Sequence, residues 1–161
     1  MNAALHYVFD PLCGWCYGAE PLVAAAEKVA GLAVRLHAGA LWSEPTRLPD
    51  PMRRYIQQAD ARIAQMSGQP FGAPYLEHLL LDPDLVLDSR PVIAAVLAAQ
   101  SLDATKALPM LRGIQHAHYE QGRHVVREET LVEIAKSVGL DAAAFTAALR
   151  AAPVDGHIAD A

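Results

Sequence analysis

The sequence lacks the features that several common functions require. Its 161 residues contain 13 lysines and arginines against 18 aspartates and glutamates, a net charge of −5, without a basic cluster. This composition argues against binding of nucleic acid or of an anionic membrane. No apolar run approaches the roughly 18 residues of a membrane span, and neither a P-loop nor a dinucleotide-binding glycine pattern is present. The length suits one domain, or one domain with an insertion.

The N-terminus also lacks a secretory signal. Residues 1–4 have neither the basic nor the apolar region of a signal peptide, and they lead directly into the first predicted strand. We therefore expect a cytoplasmic protein. In a reducing compartment, a pair of cysteines is more often catalytic than structural.

The only two cysteines of the chain lie in residues 10–16, Asp-Pro-Leu-Cys-Gly-Trp-Cys. Before them, residues 5–9 are short, aromatic and β-branched, which predicts a buried β-strand. After them, residues 21–30 predict an alanine-rich helix that ends at Gly31. A Cys-x-x-Cys at such a strand-to-helix turn is the arrangement that dithiol redox chemistry needs.

The position of each cysteine predicts its role. Cys13 comes first at the helix N-terminus, where unpaired backbone N–H groups favour the thiolate, so we expect it to be the nucleophile. Cys16 lies about one turn deeper and should resolve a mixed disulfide by attacking Cys13. We expect Gly14 and Trp15 to contact the substrate. Gly14 allows a chain to approach closely, and Trp15 offers a platform or, alternatively, an apolar lid.

Other interpretations of the cysteines remain open, namely core residues, half of a zinc site or a structural disulfide. No second Cys-x-x-Cys or close histidine pair completes the four ligands of a structural zinc site. A disulfide that closes so short a loop stabilises little. His116 and His118 are two residues apart and would point to different faces of a helix. The sequence therefore predicts neither a metal nor a bound cofactor.

Four side chains near the cysteines or in the helical segment have ordinary explanations. Asp10 is expected to cap the turn, although an ionised carboxylate close to Cys13 would disfavour the thiolate. Glu20, one turn past Cys16, is expected to be a solvated surface carboxylate. Trp42 and Tyr75 are expected to pack in the core or between the two lobes.

The rest of the chain predicts a small sheet followed by a long helical segment. A second strand over residues 32–38 would form a parallel β-α-β unit with the first. Pro21 predicts either a kink in the first helix or the first turn of a second one. From residue 41 onward the pattern is mainly helical, and the predicted helices cover residues 53–66, 89–100, 105–121, 131–138 and 141–149.

With residues 9–16 (Phe-Asp-Pro-Leu-Cys-Gly-Trp-Cys) followed by this helical segment, the sequence resembles the DsbA-like thioredoxin-fold oxidoreductases. Within them it resembles the FrnE-type, protein-disulfide-isomerase branch, to which residues 69–72 and 116–145 are also similar. The resemblance implies an α/β, thioredoxin-like fold with a large helical insertion. It divides the chain into a β-α-β half (1–40), the insertion (41–152) and the start of the return to the thioredoxin fold (153–161).

The end of the sequence departs from this family, whose members close with a strand carrying a cis-proline opposite the cysteines. The sequence stops at Ala161, so the C-terminal part of the fold is expected to be missing, and Pro153 is interpreted as a helix boundary. A two-stranded sheet is only marginally stable. We therefore expect either a fragment or strands supplied by another chain, in a homodimer or a strand-swapped oligomer.

The resemblance implies a thiol–disulfide oxidoreductase or isomerase that acts on protein thiols and disulfides, with glutathione as a further partner. Two alternatives stay open. One is a glutathione-dependent isomerase or transferase of the kappa or 2-hydroxychromene-2-carboxylate isomerase type, whose members have a serine where Cys13 lies. The other is an inactive truncated chain or a binding module. The direction of the redox reaction and the substrate are not predicted.

Overall fold

The computed structural model describes residues 3–161, which form a small parallel sheet, a second short sheet and a helical body. In chain order the elements are β1 (Ala3–Phe9), α1 (Gly14–Ala26), β2 (Leu32–Ala38), β3 (Thr46–Arg47), α2 (Asp50–Ser67), a π-helical segment (Pro74–Leu79), β4 (Val86–Leu87), α3 (Ser89–Leu102), a 3-10 turn (Ala104–Lys106), α4 (Ala107–Tyr119), α5 (Glu128–Ser137), α6 (Ala142–Ala151) and α7 (Val154–Asp160).

The predicted β-α-β unit is confirmed. Strands β1 and β2 pair in parallel along their whole length, from Ala3 opposite Leu32 to Phe9 opposite Ala38. The prediction that β1 is buried is wrong for most of its residues, since Val8 is 65% exposed and only Phe9 is fully buried. The physical reason is that, among residues 3–161, β2 is the sole strand paired with β1.

Helix α1 begins directly after Cys13 and continues through Pro21, so it is one helix and not two. Proline has no N–H, and the carbonyl of Tyr17 therefore lacks its usual partner four residues on. The side-chain amide of Gln69 donates to this carbonyl at 3.1 Å and replaces the missing bond. The helix ends at Ala26, earlier than the sequence predicted, and turns lead from there to β2.

The helices predicted beyond residue 41 are confirmed, with shifted ends. The stop after α5 is a Schellman motif, in which Leu140 donates its N–H to the carbonyl of Ala135 at 3.0 Å and Gly139 has φ of 90°. Asp141 caps α6, because its Oδ2 accepts the N–H of Ala144 at 2.9 Å. None of the helices within residues 3–161 has the length and apolarity needed to cross a membrane.

Helix α3 forms the centre of the helical body and packs against α4, α5, α6 and α7. Five of its residues have no solvent exposure, and they are Ser89, Val92, Ile93, Ala95 and Ala99. Alanines at such positions allow neighbouring helices to approach closely. The sequence did not predict α7, which returns to the sheet, where Nε2 of His157 accepts the N–H of Ala38 at 2.9 Å. Pro153 immediately precedes α7, as expected of a helix boundary.

An aromatic cluster joins α1 to the helical body. It comprises Tyr17, Phe71, Tyr75, His118 and Tyr119. The rings of Tyr17 and Tyr119 stack with centroids 4.8 Å apart. Tyr75 lies 5.2 Å from Tyr119 and is 2% exposed, so its predicted role in the core is confirmed. Such pairs stabilise beyond the area they bury, and the cluster fixes α1 relative to α4.

The loop before the π-helical segment crosses the end of α4 at close range. Gly72 donates its N–H to the carbonyl of Tyr119 at 2.9 Å, and a Cβ at Gly72 would lie 2.1 Å from the backbone oxygen of Glu120.

We therefore expect Gly72→Ala to lower the free energy of unfolding by about 3 kcal/mol, as overpacking against an immobile backbone does. Urea denaturation measures this change. Gly156→Ala, at a site with open space, is the control and should change little; equal stability of both variants would contradict the contact.

Candidate active site

Cys13 is the N-cap of α1, with φ of −100° and ψ of 117°, and its carbonyl accepts the first helical bond from Tyr17 at 3.0 Å. Asp10 holds the preceding turn. Its Oδ1 accepts the N–H of Leu12 and its Oδ2 accepts the N–H of Leu41, both at 2.8 Å. The predicted capping role of Asp10 is thus confirmed. The carboxylate also connects the turn to the loop after β2.

The two thiols have opposite electrostatic environments. The pKa of Cys13 is lowered to about 6, chiefly by a hydrogen bond with Cys16 and further by the N–H groups of Cys16 and Trp15, while burial and Asp10 act in the opposite direction. The pKa of Cys16 is raised, because its thiol donates to Cys13, is partly buried and lies beside the Cys13 charge. Near neutral pH the first cysteine is therefore the thiolate and the second is the thiol.

Cys16 faces the inner side of the turn. The N–H of Asp10 lies 3.5 Å from the sulfur of Cys16, and the hydroxyl of Tyr7 donates to the carbonyl of Cys16 at 3.2 Å. Both cysteines are free thiols of intermediate burial. Strand β1 and helix α1 thus position the two sulfurs at the junction that the sequence indicated.

A cavity of about 310 Å³ lies beside Cys13, between the start of α1, helix α2 and the floor formed by the aromatic cluster. Most of its lining is apolar. It is lined by Leu12, Cys13, Gly14, Trp15, Leu41, Trp42, Met52, Tyr55, Ile56, Ala59, Asp60, Ile63, Tyr75, Leu80, Leu85, Leu87, His118 and Tyr119. Trp15 is 50% exposed at its rim. A group bonded to the sulfur of Cys13 has room in this space.

Gly14 lines the cavity and also permits close packing of α1 on α2. A Cβ at Gly14 would lie 2.7 Å from Oδ1 of Asp60, and a Cβ at Gly18 would lie 2.7 Å from Cγ2 of Ile63. On this side of Gly14, helix α2 is the element that makes the close approach. Contact of Gly14 with a substrate remains a prediction.

Asp60 is a site residue that the sequence reasoning missed. Its side chain is 3% exposed, and burial raises its pKa to about 6, although a hydrogen bond from Tyr75 at 2.7 Å opposes the shift. No motif marks this aspartate. One signal was available, because Asp60 is four residues after Ile56 and three before Ile63, on the apolar face of α2.

The histidines and Glu20 are placed as follows. His118 is buried, and burial lowers its pKa to about 3, whereas His116 lies on another face and bonds Glu120 at 2.9 Å. Glu20 is not the solvated carboxylate that the sequence predicted. It pairs with Arg112 of α4, and its side chain is 17% exposed. Among residues 3–161, no group of three or more histidine, cysteine or acidic side chains converges on a metal position.

The comparisons with known proteins agree with this arrangement. A family model described as DSBA-like thioredoxin domain matches residues 4–161. The cytosolic disulfide reductase DsbM from Pseudomonas aeruginosa has 47% sequence identity and a TM-score of 0.90, over 98% of this chain and 75% of that chain. The same reductase with GSH has 46% identity and a TM-score of 0.90, over 98% and 76% of the two chains.

A more distant structure shares only the fold. A 2-hydroxychromene-2-carboxylate isomerase has 18% identity and a TM-score of 0.70, over 98% of this chain and 78% of that chain. A comparison with curated proteins found no match to the sequence. The thioredoxin-like fold with a helical insertion, expected from the resemblance, is therefore confirmed.

The pKa of Cys13 is directly testable. We expect the rate of alkylation by iodoacetamide to reach half of its maximum near pH 6, because the thiolate is the reactive form. In Cys16→Ala the midpoint should move up towards the ordinary value of about 8.5, since the main stabilising hydrogen bond is lost. Cys16→Ser retains a donor and should stay closer to the original midpoint. An unchanged midpoint in Cys16→Ala would refute this origin of the low pKa.

Proposed function

The chain belongs to the family of DsbA-like thioredoxin domains, and on this premise we propose that it is a thiol–disulfide oxidoreductase acting through Cys13 and Cys16. The observation that carries the proposal is the pair itself, a low-pKa thiol at a helix N-terminus hydrogen-bonded to a high-pKa thiol three positions on. The first can attack a disulfide at neutral pH. The second is held within reach to complete the exchange.

The reaction follows from these two protonation states. The Cys13 thiolate attacks one sulfur of a substrate disulfide, forms a mixed disulfide and expels the other sulfur as a thiolate. Cys16 then loses its proton and attacks the sulfur of Cys13. This step releases the second substrate sulfur and leaves a Cys13–Cys16 disulfide. Two electrons pass from the dithiol to the substrate, and the same steps in reverse oxidise a substrate dithiol.

Reduction is the direction that we propose. A relative with 47% identity is named as a cytosolic disulfide reductase, and a second structure of that relative contains GSH. We infer that glutathione or a similar small thiol can return the Cys13–Cys16 disulfide to the dithiol, in a cytoplasmic setting. A cysteine with a lowered pKa also suits reduction by external thiols, because it is a good leaving group.

Substrate recognition is proposed at the rim and wall of the cavity. Trp15 is half exposed next to Cys13 and offers an aromatic face to a polypeptide. Gly14 leaves backbone accessible beside the sulfur. Helix α2, part of the predicted insertion over residues 41–152, supplies the opposite wall. Protein disulfides with apolar neighbours fit this surface, and small disulfides fit it as well.

The glutathione-dependent isomerase alternative has less support. The isomerase structure shares the fold at 18% identity, which carries no activity across. Members of that type have a serine where this chain has Cys13, and here the residue is a cysteine with a pKa lowered to about 6. A second cysteine within bonding reach has no purpose in an isomerisation that keeps glutathione as the thiolate.

Replacement of each cysteine separates their roles. Cys13→Ser should abolish reduction of insulin disulfides with glutathione as reductant, because the nucleophile is lost. Cys16→Ser should instead accumulate a mixed disulfide between Cys13 and the substrate, visible on non-reducing gels and by mass spectrometry. Full activity of Cys13→Ser would contradict the proposal. Isomerase activity with bound glutathione, in the absence of any disulfide exchange, would favour the alternative.

A further inference from the structure

Asp60 is the only carboxyl group that lines the cavity beside Cys13, among the residues that the structure describes. It is 3% exposed on helix α2. Its Oδ2 accepts a hydrogen bond from the hydroxyl of Tyr75 at 2.7 Å. Within residues 3–161, the hydroxyl of Tyr75 is the donor bonded to the carboxyl, and Oδ1 accepts no protein hydrogen bond. Because Asp60 lines the cavity, this carboxyl can act on a group that binds there.

The carboxyl lies against the start of α1. A Cβ built on Gly14 would be 2.7 Å from Oδ1 and 3.9 Å from Cγ of Asp60. Gly14 follows Cys13 directly, and Cys13, Trp15 and Asp60 line the same cavity. A substrate sulfur that leaves Cys13 into this cavity therefore enters the space that the carboxyl lines.

Within residues 3–161, no lysine or arginine lines the cavity with the carboxyl. The titratable groups that face it are Cys13 from α1, Tyr75 from the π-helical segment, Tyr55 from its own helix, and His118 and Tyr119 from α4. None is a lysine or arginine. Burial lowers the pKa of His118 to about 3 and raises the pKa values of Tyr75 and Tyr119, so these three groups are neutral near pH 7. A thiolate and a carboxylate in the same apolar cavity repel each other, which favours one proton between them.

We propose that Asp60 is the general acid of the exchange reaction, giving its proton to the substrate sulfur that Cys13 displaces. This inference rests on the proposed function. In the step, the Cys13 thiolate forms a bond to one sulfur of R–S–S–R′, the S–S bond breaks, and R′S⁻ takes the proton from the Asp60 carboxyl. The products are the mixed disulfide Cys13–S–S–R, R′SH and the Asp60 carboxylate. Charge is conserved, and the carboxylate regains a proton from solvent.

The proton affinities of the two groups suit this role. Burial raises the pKa of Asp60 to about 6, close to that of Cys13. A thiolate and a protonated carboxyl can therefore coexist around this pH. An alkyl thiolate is a strong base and a poor leaving group, so its departure gains from a nearby acid. An aromatic nitrothiolate is a weak base and gains nothing.

Asp60→Asn tests the proposal, because the amide keeps the shape and can still accept from Tyr75 but donates no acidic proton. At pH 6 we expect the reaction with 2-hydroxyethyl disulfide to slow about 100-fold, the usual scale of general acid catalysis. The reaction with dithiobis(nitrobenzoate) and alkylation by iodoacetamide should stay within about threefold, since neither leaving group needs a proton. Asp50→Asn, an exposed aspartate in the first turn of the same helix, is the matched control and should leave all three rates unchanged.

The pH profile gives a second test through a variant that keeps the carboxyl. With 2-hydroxyethyl disulfide, the wild-type rate should rise as Cys13 ionises and fall as Asp60 loses its proton, both around pH 6. Tyr75→Phe removes the hydrogen bond that lowers the pKa of Asp60. The falling limb should therefore move to higher pH, and the rising limb should stay. In Asp60→Asn the falling limb should be absent.

Three results would overturn the inference. The first is an equal loss with all three probes in Asp60→Asn, which would mean that Asp60 only shapes the surroundings of Cys13. The second is full reactivity of Asp60→Asn with 2-hydroxyethyl disulfide. The third is an unmoved falling limb in Tyr75→Phe, which applies even when Asp60→Asn does not fold. Failure of the proposed function is distinguishable, because the wild-type chain would then be alkylated at Cys13 without reacting with either disulfide.

Discussion

The chemistry proposed for this chain depends on the hydrogen bond that the Cys16 thiol donates to the Cys13 thiolate. It gives two identical side chains different protonation states, a thiolate at Cys13 and a thiol at Cys16, because it lowers one pKa and raises the other. Both cysteines lie at the first turn of α1, shortly after the end of β1. Asp10 fixes that turn through the N–H groups of Leu12 and Leu41. Local backbone bonding thus sets the reactivity of the site.

The helical segment shapes the surroundings of the two cysteines. Helix α2 packs on α1 through Gly14 and Gly18, at a distance that a larger residue would prevent. The aromatic cluster forms the floor of the cavity and connects α4 to α1. The thiol therefore faces an apolar cavity on one side and the strand–helix turn on the other. In this environment charges interact strongly, so single polar groups have large effects.

The sequence predicted the parts of the molecule that depend on local patterns. The Cys13–Cys16 pair, the β-α-β unit and the helix stop at Gly139 follow from spacing and turn chemistry, and each is found where expected. The features it missed depend on contacts between distant segments. The pairing of Glu20 with Arg112 and the burial of Asp60 need α1, α2 and α4 in place. The exposure of β1 depends on which strands flank it, which the strand's own residues do not encode.

The electrostatics of the cavity also bear on the direction of exchange. A hydrogen bond that stabilises the Cys13 thiolate stabilises the dithiol relative to the disulfide, and by itself makes the pair more oxidising. Negative charge nearby has the opposite effect, and Asp10 already opposes the thiolate. An ionised Asp60 in the same cavity would act in the same sense as Asp10. The pKa of Cys13 nevertheless stays lowered to about 6, so the carboxyl groups moderate the shift towards a more oxidising pair and do not reverse it. The proposed direction of reduction therefore rests on the similarity to the reductase.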